Sequence, residues 1–316
     1  MSAAPEDGRF EWDRLTVATV FGYCTLVCAQ SVGIVYGELR EEFAISGVIT
    51  ALHGGTFGAS LLVLGTFGVA LVDRIGRRAT IATSFALIAV GVAVFCTGRS
   101  WPFTLAGAAT AGLGGATWVM VIPGIISDHH GPNRAQAFSS VNGLPVIAGF
   151  AFSLAIGGSL ALDHGWRVPY ATLSTAIVVV AVVIASGVRL PDAPRHGQFT
   201  LRHFASRAVL VPWAQIVNLV LVEYTVGIWA ATYLREVGGA SPGAAPVLAM
   251  VFGLTLFAIR MVTDRVVALV GGWAIPLSLV VLGGSVAGFC LVGPLWARVV
   301  LLGIAGLGAG PLYPLG

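Results

Sequence analysis

The sequence contains very few charged residues and no lysine. Only 10% of its 316 residues are charged, and all 17 basic residues are Arg, whereas soluble domains carry about 25% charged residues. A water-soluble chain of this size needs a polar surface, which this composition does not supply. Because 57% of the residues are hydrophobic, their side chains must face lipid, and the composition predicts an integral membrane protein.

The motifs of several functional classes are also missing. No GxxxxGK[ST] loop is present, which argues against direct use of ATP. No HExxH pair, catalytic carboxylate pair or nucleophile elbow occurs, so we expect a protein that is not an enzyme. The four Cys lie in or beside apolar runs with no His or carboxylate close by, and we expect them to be packing residues. We therefore expect no cofactor, no metal and no nucleic-acid partner.

Ten apolar runs are long enough to cross a bilayer as helices. A helix needs about 20 apolar residues to do so, and backbone groups in lipid must pair within the helix. The continuous apolar character also excludes a membrane β-barrel, in which polar and apolar residues alternate. The predicted spans are 15–37, 47–71, 79–98, 103–126, 137–161, 168–187, 208–232, 244–263, 266–292 and 296–315.

The distribution of Arg predicts the orientation of these spans. With the N-terminus in the cytoplasm, the inner segments hold twelve Arg and the outer segments five. The positive-inside rule then predicts a cytoplasmic N-terminus. Richness in Arg, Ala, Gly and Val is typical of a GC-rich bacterial genome, so we expect a multi-pass protein of the bacterial cytoplasmic membrane.

One long connection divides the chain. The segment VRLPDAPRHGQFTLRHFASRA, residues 188–208, is polar, basic and contains two Pro, and most other connections are much shorter. These features are typical of a linker between helical bundles. We predict a six-helix bundle over 1–187, a cytoplasmic linker over 188–207, and a bundle of four helices over 208–316.

The loop between the second and third spans carries a family signature. Its sequence, GVALVDRIGRR, resembles the Gly-x-x-x-(Asp)-Arg-x-Gly-Arg-Arg signature of the major facilitator superfamily. Further resemblances are GWRVPY at 165–170, GLGAGPLYP at 306–314, and a weak repeat of the signature after the eighth span at Arg260, Asp264 and Arg265. The matching residues of the main signature are Gly68, Asp73, Arg74, Gly76, Arg77 and Arg78.

The resemblance implies a role for this loop in conformational gating. Gly76 suits the tight turn between two helices. In the family the signature Arg is thought to meet an acid that ends the fourth helix, and Asp128 stands there to partner Arg77. The alternative is that these Arg are only positive-inside anchors.

The sequence departs from the family in three ways. Members normally have twelve helices, whereas this chain has ten predicted spans, so we expect a truncated product or fragment without the last two. Many proton-coupled members carry an Arg in the fourth span, where this chain has Ala108. The fifth span ends in SLAIGG rather than the Gly-Pro-x-x-Gly-Gly of drug antiporters, which weakens that assignment.

The resemblance also implies that the first, fourth, seventh and tenth helices line a substrate cavity. A polar residue within a membrane span costs free energy, so its presence there suggests a function. Pro123, Pro145 and Pro311 lie in or near spans, where they permit bends. The candidate cavity residues are Tyr23, Gln30, Trp118, Gln215, Asn218, Tyr224 and Tyr313.

Two titratable residues are candidates for proton coupling. A charged Glu223 near mid-membrane costs roughly 2.5–3.5 kcal/mol on insertion scales. It therefore either titrates or binds a cation, or is held neutral by a local hydrogen bond, or lies close to the outer interface. His53 either relays protons or is a hydrogen-bonded packing residue. We do not expect His129 and His130 to bind a metal, because their loop lacks ligand spacing.

Together these features predict an all-α, polytopic membrane protein with a two-bundle transporter fold. We expect a monomeric secondary active transporter, ion- or proton-coupled, that moves a small solute by alternating access. The alternative is a truncated membrane protein that does not transport.

Overall fold

A computed structural model describes residues 12–187, 190 and 207–312. All regular secondary structure in these residues is helical, which confirms the predicted all-α class. The α-helices are α1 Arg14–Gln30, α2 Tyr36–Phe43, α3 Gly47–Thr97, α4 Trp101–His130, α5 Arg134–Gly143, α6 Pro145–Ala161, α7 Arg167–Gly187, α8 Arg207–Glu236, α9 Ala244–Arg260, α10 Thr263–Val270, α11 Ala274–Leu291 and α12 Leu295–Ala309.

The helices follow the predicted spans, with breaks at Gly76, before Pro145 and at Gly271. Helix α3 contains two spans joined at Gly76, whose φ of 78° departs from helical geometry; a residue with a Cβ rarely adopts this conformation. The fifth span is split into α5 and α6, and Pro145 begins the second piece. The ninth span, predicted as continuous, is interrupted at Gly271 (φ 55°) between α10 and α11.

Length and composition support a membrane setting. Within the described residues, seven helices are long and apolar enough to cross a bilayer. Two shorter apolar helices, Ala244–Arg260 and Leu295–Ala309, accompany them. The division into six and four spans stays a prediction, because the linker over 188–207 lies almost entirely outside the described residues.

The chain forms two compact units. Among the described residues, the first unit contains residues 12–32, 38–152 and 164–187 together with Leu190. The second contains 33–37, 153–163 and 207–312, so the start of α2 and the end of α6 pack with α8 to α12.

Helix α4 packs against its neighbours in the first unit through glycine. A Cβ at Gly112 would lie 3.2 Å from the Phe57 backbone, in the first half of α3. One at Gly114 would lie 2.5 Å from the Ser84 carbonyl, in the second half of α3. The neighbouring Gly115 faces the side chains of Leu26 and Gln30 on α1. Small residues allow helix backbones to approach closely in membranes, and this glycine run lets α4 contact three helical segments at one level.

Helix α12 has the same role in the second unit. Gly306 lies against the backbone of Phe252 and Leu256 on α9. Two residues further on, Gly308 lies against Leu282 of α11 on the other side. The buried side chains around these contacts are Ala and Leu with Phe252 and Phe289, so α12 is the central helix of this unit.

We predict that Gly91→Ala lowers the thermal stability of the purified protein. The new Cβ would lie 2.7 Å from both the Gly107 carbonyl and the Ala111 Cα on α4, and overpacking of this kind costs about 1–3 kcal/mol. Differential scanning fluorimetry in detergent measures the change. The matched control is Gly55→Ala in the same helix, where a Cβ meets nothing within 4 Å; equal melting temperatures for the two variants would contradict the packing described for α3 and α4.

Candidate functional site

The signature loop is a tight turn within α3. At Gly76 the chain reverses between the two halves of α3, and the Thr80 hydroxyl donates to the Gly76 carbonyl at 2.8 Å. Gly68 precedes the turn in the first half of α3 and is buried against the Met120 side chain of α4. A Cβ at Gly68 would overlap that side chain. The glycines of the signature therefore provide one turn and one close helix contact.

The Arg77 guanidinium lies against α4 and pairs with Asp128. Its Nη2 donates to the Asp128 carboxylate at 2.5 Å, and the Arg77 side chain is only 8% exposed. The guanidinium lies over Gly124, one turn before Asp128, where a Cβ would make an ordinary van der Waals contact with Nη2 at 3.6 Å. The structure thus contains the ion pair that the sequence suggested, while the gating role of the pair stays a prediction.

The other charged residues of the signature are exposed. Asp73, Arg74 and Arg78 lie on the surface of the turn. Arg78 also lines an apolar cavity of about 340 Å³ between the second half of α3 and α7.

A second polar cluster joins the start of α1 to the end of α4. Asp13 caps α1: its Oδ1 accepts from the Thr16 backbone N–H at 2.8 Å and from the Thr16 hydroxyl at 2.7 Å. Its Oδ2 pairs with Nε2 of His129, and Nε2 of His130 lies 2.8 Å from the Thr16 hydroxyl. Partial burial raises the pKa of Asp13, but the bonds from Thr16 and His129 outweigh it and hold this pKa below its ordinary value.

At the other end of the first unit, Arg167 joins three segments. Its two terminal nitrogens donate to the two Glu42 carboxylate oxygens, each at 2.6 Å, so the pair is bidentate. One of them also donates to the Gly98 carbonyl at 3.0 Å, and the guanidinium stacks over the Trp166 ring at 4.4 Å. Bidentate Arg–carboxylate pairs fix geometry as well as charge. The Gly-Trp-Arg motif therefore fastens the end of α2 and the end of α3 to α7.

The predicted cavity residues of α1 and α4 are largely buried inside the first unit. The Tyr23 and Trp118 rings meet edge to face, with centroids 6.0 Å apart. Trp118 is 1% exposed, and its indole N–H has no hydrogen-bond partner among the described residues. Gln30 is partly exposed, and its Nε2 donates to the Ala111 carbonyl at 3.4 Å.

Two of the predicted cavity residues in the second half of the chain, Asn218 and Tyr224, lie on α8 in the described part of the structure, and both are exposed. The Asn218 side-chain amide donates to the Ala214 carbonyl of its own helix at 2.8 Å. Gln215 lies in α8, but its side chain is outside the described part of the structure, and Tyr313 lies outside the described residues altogether. A role for all these residues in substrate binding stays a prediction.

Glu223 has a cationic partner. Its Oε2 accepts from Nη2 of Arg260, at the end of α9, at 2.7 Å. Nε of the same Arg260 donates to the Gly310 carbonyl beyond the end of α12 at 3.3 Å. Both side chains of the ion pair are about a quarter exposed, at 25% and 27%. One guanidinium thus links α8, α9 and α12.

His53 is a hydrogen-bonded residue of the contact between α3 and α4. Its Nδ1 lies 3.1 Å from the Ile49 carbonyl, and its Nε2 lies 3.0 Å from the Thr104 hydroxyl. The residue is 1% exposed. In the neutral ring Nδ1–H donates to the Ile49 carbonyl, and Nε2 is the acceptor that faces the Thr104 hydroxyl. The single proton of that hydroxyl is shared with the Trp101 carbonyl, which lies 3.0 Å from it. A role of His53 in proton transfer stays a prediction.

Sequence reasoning missed the pairing of Glu223 with Arg260 and that of Asp13 with His129. Glu223 is 13 residues from the end of α8 at Glu236, and Arg260 is 16 residues from the start of α9 at Ala244. At 1.5 Å per residue these are depths of about 20 and 24 Å on neighbouring helices. Asp13, before the first span, and His129, after the fourth, lie on the same side of the membrane by the predicted topology.

Comparison with known proteins decides the family. The profile described as Major Facilitator Superfamily matches residues 18–316, nearly the whole chain. The chain belongs to this superfamily.

Relatives within the superfamily include proteins named as sugar and polyol transporters. The chain is 31% identical over 127 residues to myo-inositol transporter 1A of Cryptococcus neoformans var. grubii, a match that covers 40% of this chain and 22% of that protein. The chain spans between 22% and 36% of the length of the curated relatives it matches.

Solved structures share the superfamily fold. The structure of a bacterial homolog of the human lysosomal transporter Spinster, inward-facing and occupied, aligns with a TM-score of 0.74 and 19% identity over 95% of this chain and 72% of that chain. A D-xylose–proton symporter aligns with a TM-score of 0.67 and 16% identity over 95% and 80%.

We predict that Asp128→Asn destabilises the protein by about 1–3 kcal/mol, because it leaves the nearly buried Arg77 guanidinium without its carboxylate. A fall in melting temperature in detergent reports this loss. Arg74→Gln removes a charge from the same loop at an exposed position and should change the melting temperature little. A larger effect of Arg74→Gln than of Asp128→Asn would contradict the assigned pairing.

Proposed function

We propose that the chain is a secondary active transporter that moves a neutral, polyhydroxylated small solute, a sugar or polyol, across the cytoplasmic membrane by alternating access. The observation that carries the proposal is the superfamily match over residues 18–316. Its orientation would be the one that the Arg distribution predicts, with the N-terminus in the cytoplasm.

The substrate class is supported by relatives and by side-chain chemistry. One relative is named as a transporter of myo-inositol, and a structural neighbour as a symporter of D-xylose with protons. The candidate cavity side chains are amides and aromatic residues with polar atoms, among them Gln30, Asn218 and Tyr224. Neutral donors and acceptors of this kind match hydroxyl groups, whereas an ionic substrate needs a charged partner.

Proton coupling is assigned to the Glu223–Arg260 pair. A carboxylate in the membrane is stabilised by a cation at 2.7 Å. Protonation of Glu223 would remove that attraction and leave Arg260 with the Gly310 carbonyl, to which it already donates. The packing of α8 against α9 and α12 would then differ between the two protonation states, which is the differential interaction that coupling requires.

The signature loop would act as the gate. Arg77 and Asp128 join the turn of α3 to the end of α4, and two further Arg of the loop are exposed. Exposed charges on a tight turn exchange partners at little cost, because water screens them in every conformation. Asp73, Arg74 and Arg78 are therefore the residues whose contacts we expect to change during transport.

The decisive experiment is uptake by proteoliposomes that contain the full chain. Labelled myo-inositol, D-xylose and D-glucose would each be supplied with and without an inward proton gradient, and protein-free liposomes would serve as the control. Accumulation of one of them above the control supports the proposal. A protein that folds, by its melting transition, yet moves none of a broad panel of sugars and polyols would favour the non-transporting alternative.

We predict that Glu223→Gln abolishes accumulation driven by the proton gradient but preserves exchange of labelled for unlabelled substrate, because exchange needs no net proton movement. Exchange at equal substrate concentrations and gradient-driven uptake are measured on the same vesicles. Glu236→Gln makes the same chemical change at the end of the same helix and should keep both activities. Gradient-driven uptake with an unchanged pH profile in Glu223→Gln would exclude Glu223 as the coupling group.

A further inference from the structure

The cluster of Asp13, His129 and His130 has the composition of a transition-metal site, contrary to the expectation from the loop sequence, because Asp13 lies 116 residues from His129 along the chain. One ligand atom from each residue lies within 4.8 Å of those of the other two. Two imidazoles and one carboxylate are the protein ligands of a common class of zinc site, in which water takes the fourth position. We propose that these three residues bind one zinc-class ion and so fasten the start of α1 to the end of α4.

The geometry requires only small side-chain movements. Zinc bonds to His and carboxylate ligands are about 2.0–2.2 Å long, so ligand atoms in a tetrahedral site lie about 3.4 Å apart. The present separations are within 4.8 Å, and Asp13 Oδ2 already contacts His129 Nε2. The ion would replace that direct contact and the 2.8 Å contact between His130 Nε2 and the Thr16 hydroxyl. It would draw in the His130 ring, whose centroid is 4.8 Å from that of His129.

The Asp13 carboxylate is already oriented by its own helix. Its Oδ1 holds the Thr16 backbone N–H and hydroxyl at 2.8 and 2.7 Å, which leaves Oδ2 directed toward His129. Hydrogen bonds of this kind to a ligating carboxylate fix its orientation and strengthen metal binding. Thr16 therefore positions the ligand while Asp13 also caps α1.

The electrostatic setting favours a cation. His129 and His130 occupy the last turn of α4, where the helix dipole places partial negative charge. The side chains of His129 and Asp13 are 35% and 40% exposed, so an ion can enter from solvent. Imidazole ligands favour zinc, copper and nickel over magnesium and calcium, which sets the expected selectivity.

Metal binding would act on the neighbouring gate. Asp128, the partner of Arg77, directly precedes the two His on α4. An ion held between α1 and α4 would therefore restrain the residue that pairs with the signature loop, and we expect zinc to slow transport. This last step rests on the proposed function, whereas binding of the ion does not.

Isothermal titration with zinc chloride tests binding on the full chain, purified in detergent without a polyhistidine tag. We expect one ion per chain and no heat with magnesium. Loss of an outer-shell partner alone weakens metal binding by about 10–100-fold, so the loss of a ligand in His129→Gln or in His130→Gln should weaken it at least as much. Asp13→Asn keeps a residue that caps helices well and should weaken binding similarly. His164→Gln removes an exposed His elsewhere in the first unit and should leave the affinity unchanged.

Zinc-edge X-ray absorption gives an independent readout, with two imidazoles expected around the ion. No binding by the native chain would overturn the inference, as would equal affinity in His129→Gln and His164→Gln. The effect on the gate is measured as uptake with and without zinc in the native chain and in His129→Gln. Zinc binding without any transport would contradict the proposed function and not the metal site, while transport without zinc binding would contradict the metal site alone.

Discussion

The close contact between α3 and α4 is the packing on which the rest of the first unit depends. Lipid tails are as apolar as the helix surfaces, so membrane helices gain little by burying apolar area against one another and must instead approach closely. Gly91, Gly107 and Gly114 permit this, because a Cβ at any of them would overlap the facing backbone. Once α4 is fixed at this distance, its two ends are fixed too, and the polar clusters of the unit form at those ends.

Charge in the first unit is confined to the ends of helices. Arg77 meets Asp128 at one end, and Arg167 meets Glu42 at the other. Between them the unit holds buried aromatic rings, including Phe85 and Trp118 with centroids 4.9 Å apart. An ion pair at the interface with water pays a smaller desolvation cost than one at mid-membrane. The pairs can therefore orient α3, α4 and α7 without charging the interior.

The sequence predicted the spans, the turn at Gly76 and the Arg77–Asp128 pair, since each depends on local composition or on a motif with a known partner. It predicted a ninth span over 266–292, and Arg265–Leu291 is long and apolar enough to cross a bilayer. It did not predict the break in this helix at Gly271, whose positive φ becomes evident only in the structure. It assigned no partner to Glu223, since Arg260 lies 37 residues away. Contacts of this kind depend on helix neighbours and depth, which one sequence does not provide without a fold.

The second unit differs from the first in that its ion pair joins the middle of one helix, at Glu223 of α8, to the end of another, at Arg260 of α9. The fourth span has Ala108 where many proton-coupled members of the superfamily have an Arg, so the first unit does not supply that cation. Arg260 supplies one in the second unit, where it contacts both the Glu223 carboxylate and the Gly310 carbonyl. Gly303 and Gly306 let α12 pack close to α9. A change in the charge of Glu223 would therefore be transmitted to α12 through a single side chain, that of Arg260. The proposed coupling is therefore asymmetric, with gating contacts in the first unit and proton binding in the second.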